Sequence, residues 1–108
     1  MTPQEIFAQY SSRQRISIPT IQNYGKLSNR DMKRIDNQLQ GRDIFQTQHC
    51  VLHPSGKANV FVSFRYKKVT LQRLLYHNYC DDLPTHKQLK LSCQNSSCCT
   101  LAHFVVPI

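Results

Sequence analysis

Acidic side chains are scarce in this chain. Six Asp and Glu stand against 14 Lys and Arg, so its 108 residues carry a formal charge of +8, a balance that favours polyanionic partners. Long apolar runs are missing too. No stretch approaches the ~20 residues that span a bilayer, and a mean hydropathy of -0.48 fits an ordinary soluble composition. The amino terminus, MTPQEIFAQYSSRQR, lacks the basic, then apolar, then small-residue order of a signal peptide. The expectation is a non-membrane, intracellular protein. No internal repeat or low-complexity block is evident.

An even cysteine count is also lacking. A disulfide framework in a small secreted protein normally uses an even number, whereas this chain has five, and Cys98 and Cys99 are adjacent, where a bridge would be strained. In a reducing compartment such residues are better metal ligands. Cys93, Cys98 and His103 follow the spacing CxxxxCxxxxH, and Cys50 lies upstream. Four nitrogen or sulfur donors are what tetrahedral zinc requires, and a site of this kind would staple a small core. Cys99 and Cys80 compete as ligands, as do His49 and His53 beside Cys50, although His49 should point to the opposite face of an extended segment.

The chain divides into an extension, residues 1–43, and a domain, residues 44–108. In the extension, Thr2 caps a short helix over Pro3 to Tyr10, and Ser28 with Asp31 opens a helix over about 28–40 that buries Met32, Ile35 and Leu39 and stops at Gly41. Between them, Arg13 to Thr20 reads as extended linker, with Arg13 and Arg15 a basic arm. In the domain, residues 44–52 and 58–66 read as strands joined by the turn HPSGK. Val60, Val62, Phe64 and Tyr66 would share one face, and Asn59, Phe61, Ser63, Arg65 and Lys67 the other. Thr70 caps a helix with Leu71, Leu74, Leu75 and Tyr79 in its core stripe. Asp81, Asp82 and Pro84 end it, Cys80 sits buried at its end, and a short strand falls near Gln88 to Leu91. The fold class expected is α+β.

A cysteine on a strand, a turn, a basic strand, the helix LQRLLYHNY and then CxxxxCxxxxH resembles the His-Cys box branch of the His-Me finger endonucleases over roughly residues 44–104. The resemblance implies a zinc-bound ββα core with Cys50, Cys93, Cys98 and His103 as ligands of one structural zinc, and its spacing favours Cys98 over Cys99. It also implies no enzyme. The family's catalytic His lies two residues before the first Cys of the cluster, where this chain has Leu91, an aliphatic side chain that takes no proton. Its metal-binding Asn would fall beyond Ile108. Neither His86 nor the Asp81–Asp82 pair restores that geometry. The amino-terminal domain of SMAD transcription factors is similar in style, keeping zinc and DNA contact without cutting.

A ribbon over residues 44–68 would suit the major groove of duplex DNA, with Gln46, Gln48, Asn59 and Arg65 toward bases and Lys57, Lys67 and Lys68 toward phosphates. Arg42, Arg73, Lys87 and Lys90 would extend that positive, nucleic-acid-binding surface. A protein of this kind belongs in the nucleus or another DNA-containing compartment. The alternative is an assembly module in which the apolar tail, 104–108, docks on a partner or a second copy, or else closes its own core.

Overall fold

The chain punctuates its own helices. In the computed structural model, which describes residues 2–21, 24–57 and 60–107, Thr2 accepts from the Glu5 amide while Glu5 accepts from the Thr2 amide, opening α1 (Pro3–Ser12). Ser28 and Asp31 make the same reciprocal box at α2 (Asn29–Gln38), satisfying amides that a helix start leaves without partners. Both helices form as expected, and Met32, Ile35 and Leu39 are buried. Past α2 the backbone turns left-handed at Gln40 and Gly41, with φ of 58° and 70°.

The expected strand over 44–52 does not form, and this corrects the hairpin read from the sequence. The Gln46 side chain folds onto its own loop: Oε1 accepts from the amides of Gln48 and His49 at 2.7 and 2.8 Å, and Nε2 donates to the His49 carbonyl. A side chain that binds local backbone in this way competes with ladder formation. The turn at His53–Gly56 does form, closed by Gly56 N–H to His53 O at 2.9 Å, but it joins no pair of strands. The hairpin instead runs from β1 (Phe61–Phe64) to β2 (Lys67–Thr70), with Arg65 and Tyr66 as its turn. Tyr66, expected on the buried face, is fully exposed there.

Helix α3 (Leu71–Tyr79) follows β2 directly. Thr70 occupies its cap position, yet its side chain makes no capping bond; the Leu71 amide donates to Val60 O instead. Leu71, Leu74 and Leu75 pack with Tyr10, Leu27, Met32, Ile35, Leu39 and Phe64, so one buried cluster draws on residues from both sides of position 43. Tyr10, Phe45 and Tyr79 stack edge to face at 5.2 to 6.1 Å, a favoured ring geometry. The last elements are β3 (Lys90–Leu91) and β4 (Phe104–Val105), paired antiparallel. Phe104 is buried: the tail closes the chain's own core at that point. The architecture is α+β, with three helices and two small antiparallel sheets.

The segment expected as linker is docked. Arg15 donates to the carbonyl of His77 and to Asp82, and lies 3.6 Å from Asp81. A guanidinium at the carboxyl end of α3 meets the negative end of the helix dipole. The acidic pair is thereby held by Arg15, which is no free basic arm.

Candidate metal centre

Two stretches of chain far apart in sequence converge at the ligand cluster. The segment 50–53 runs antiparallel to 97–100: Cys99 N–H donates to Val51 O at 2.7 Å, His53 N–H to Ser97 O at 3.1 Å, and Leu52 bridges Cys98. Thr100 locks the pair from inside. Its buried hydroxyl accepts from Val51 N–H and donates to His49 O, both at 2.8 Å. On the other side Gln72 of α3 donates to the carbonyls of Ser96 and Cys98. The loop between β3 and β4 then carries Cys93 and Cys98, and a short 3-10 turn, Leu101–His103, delivers the imidazole.

The ligating atoms of Cys50, Cys93, Cys98 and His103 all lie within 4.8 Å of one another. The His103 Nδ1 is 3.6 Å from Cys50 Sγ and 3.3 Å from Cys98 Sγ. Zinc bonds of 2.0 to 2.3 Å imply donor separations of roughly 3.5 to 3.8 Å in a tetrahedron. A small inward movement of the side chains therefore suffices to close the site on one ion. The Cys50 thiol is pushed up to about 12, first by hydrogen bonding with Cys93, then by burial and by Cys98. Burial also acts to raise Cys93, but hydrogen bonds to the Asn95 backbone, Cys50 and Cys98 outweigh it and bring that thiol below its ordinary value. Crowded sulfurs ionise together only when a cation neutralises them.

The competing ligands are elsewhere. Cys99 is buried beside the cluster with its sulfur turned to Ser97 O, its thiol pushed up to about 12 by burial and by Cys98. Cys80, expected to be buried, is exposed at the end of α3. His49 is exposed, and His53 is tied to Ser55. Sequence reasoning missed Thr100 and Gln72, which support the ligands through hydrogen bonds from distant positions. Such partners commonly change metal affinity about 10- to 100-fold. Thr100→Val should lower zinc affinity by that order in a chelator competition, and Thr100→Ser should restore it. Equal affinity in all three proteins would remove Thr100 from the site.

The positions read as nucleic-acid contacts separate into two groups. Gln46 is spent on its own loop, as described. Arg73 is engaged as well, donating to the carbonyls of Lys87 and Pro84 at 2.7 and 3.1 Å and lying over the Tyr24 ring. Both side chains are therefore engaged within the fold. Arg65 folds toward the Phe64 ring. Gln48 and Lys57 are exposed in the loop before the hairpin, and Asn59 lies outside the described residues. Lys67 and Lys68 are exposed on β2, and among the described residues neither makes an ion pair. Leu91, two residues before Cys93, lies on β3.

These features define a small α+β domain with a Cys3His group able to hold one metal ion. The chain is 34% identical, over 110 aligned residues and 93% of its length, to a protein of Acanthamoeba polyphaga mimivirus described as uncharacterized protein R328. It spans 31% of that protein's length. No protein-family model matches the chain, and no solved structure does. No helix is long and apolar enough to cross a membrane among the described residues.

Proposed function

We propose that this chain is a zinc-stabilised nucleic-acid-binding domain that does not cut its ligand, on a scaffold like that of the His-Cys box nucleases and in a compartment that holds DNA or RNA. Three thiolates and an imidazole fill a tetrahedron, leaving no open position for Lewis-acid chemistry, so the ion's contribution is to folding. At Leu91 an aliphatic side chain stands where the nucleases place their general base. The observation that carries nucleic-acid binding is the hairpin: Lys67 and Lys68 are exposed and without ion pairs among the described residues, in a chain of net charge +8. The ribbon over 44–68 that would suit a duplex groove is not formed over that length. What remains is the shorter hairpin β1–β2.

Measuring DNA and RNA binding by fluorescence anisotropy across a salt series tests this reading. Log affinity should fall linearly with log salt, and Lys67→Glu with Lys68→Glu should reduce the slope by roughly 1.4 to 1.8, about 0.7 to 0.9 for each phosphate no longer neutralised. Zinc content should not change. Absence of binding at low salt would sink the proposal, and plasmid cleavage in the presence of magnesium would sink its non-enzymatic part.

A second reading, an assembly module, draws on one feature. A groove of about 540 Å³ lies between α2 and β1, floored by Leu27, Ile35, Val62 and Leu74. Sedimentation of the zinc-loaded chain separates the two: a stable dimer with no affinity for nucleic acid favours assembly.

A further inference from the structure

The outward side of the hairpin presents ring faces where a groove-reading ribbon would present amide ends. Val62, Phe64 and Val69 turn inward, and the pairings Phe61↔Thr70 and Ser63↔Lys68 set those four residues on the opposite face. Phe61 is 56% exposed and Tyr66, at the tip, is wholly exposed. Lys68 shares the face of Phe61, whereas Lys67, paired with Phe64, is exposed on the other face beside the turn. No Asn or Gln lies between Val60 and Leu71, so the hairpin has no bidentate reader for adenine in a major groove.

The turn itself is held in a costly conformation. Arg65 and Tyr66 have φ of 51° and 67°, the left-handed pair of a two-residue hairpin turn, where Asn-Gly is the relaxed choice. The Arg65 guanidinium lies 5.2 Å from the Phe64 ring centroid, and a methyl group added at Gly25 would come within 3.5 Å of it. Arg65 thus braces the turn from below, while the tyrosine stands free above it. Strain retained at an exposed position is a mark of use.

Resting on the nucleic-acid reading, we infer that the hairpin binds single strands: Tyr66 and Phe61 offer faces on which unpaired bases stack, and Lys67 and Lys68 meet the flanking phosphates. In a duplex each base face is covered by its neighbours, and exposed rings find nothing to stack on. In a single strand every base offers a face, and stacking of this kind tolerates any sequence. The cations fit the polyanionic backbone of either a DNA or an RNA strand.

The test uses the zinc-loaded full chain with a labelled oligothymidylate, a labelled oligouridylate and a GC-rich duplex of equal length, at one salt concentration. At least one single strand should bind about tenfold or more tighter than the duplex. Tyr66→Ala and Phe61→Ala should each weaken single-strand binding by about 5- to 150-fold, the range found for one base–aromatic stack, and leave duplex affinity unchanged. The double variant Arg65→Asn with Tyr66→Gly guards against misfolding, because it relaxes the turn. It should melt no lower than the parent and still lose single-strand affinity. Duplex binding equal to or tighter than that of both single strands, or aromatic variants with parental affinity, would overturn this inference alone. Binding of no probe would overturn it together with the nucleic-acid reading.

Discussion

Replacing Cys50 or Cys98 by serine should abolish zinc binding and, with it, cooperative unfolding. A serine hydroxyl is a poor zinc ligand, and either change leaves three donors where a closed structural site needs four. Apparent zinc-binding free energies in small domains run to about 10 to 16 kcal/mol, while a domain of this size keeps only about 5 to 15 kcal/mol of net stability. Losing the ion therefore removes a contribution as large as the whole margin. Cys50 is the sole ligand from its stretch, so its loss frees the segment 50–53 from the metal altogether. Cys99→Ser and Cys80→Ser should each retain one zinc per chain, since neither sulfur is in the cluster. Metal analysis with a thermal melt decides the matter. Full zinc content and an unchanged transition in the Cys50 and Cys98 variants would discard the site.

Asn78→Ala should destabilise the zinc-loaded chain by about 2 to 5 kcal/mol without releasing zinc. Asn78 is completely buried on α3. Its Oδ1 accepts from the Leu27 amide and from Gln14 Nε2, both at 2.9 Å, and its Nδ2 donates to the carbonyls of Gly25 and Leu74. Truncation leaves the Leu27 amide and the Gly25 carbonyl without this partner inside the fold, and that desolvation sets the magnitude. Asn78→Asp keeps the acceptor, loses the donor and buries a charge, so it should be no better than alanine. Urea denaturation at constant zinc measures both. A change within about 0.5 kcal/mol, the range of ordinary surface substitutions, would mean that the amide does not hold the amino-terminal segment in place.

What was legible in the sequence was local. Thr2 with Glu5 and Ser28 with Asp31 announce helix starts because both partners of each box lie within one turn, and Met32, Ile35 and Leu39 announce a face by their spacing. The trio Cys93, Cys98 and His103 is readable for the same reason. Residues 44–52 invite a strand through the apolar pairs Ile44–Phe45 and Val51–Leu52 at their ends, while between them the Gln46 amide spends itself on its own loop. The true turn, Arg65–Tyr66, lacks the glycine or asparagine by which such turns are recognised. Asn78, Gln72 and Thr100 were illegible for another reason. Each bonds to residues at least 24 positions away, and a polar side chain carries no mark of a distant partner.

The route of the chain between its metal ligands has a topological consequence. Cys50 precedes β1, β2 and α3, while Cys93, Cys98 and His103 follow them. A bound ion therefore makes residues 50–93 a closed circuit of polypeptide, with the lysine-bearing hairpin as one of its arms. The hairpin is tethered at both of its roots to the same point, whatever the two ends of the chain are joined to. A pull on the hairpin would then be resisted by that circuit as well as by the short ladder beneath the turn.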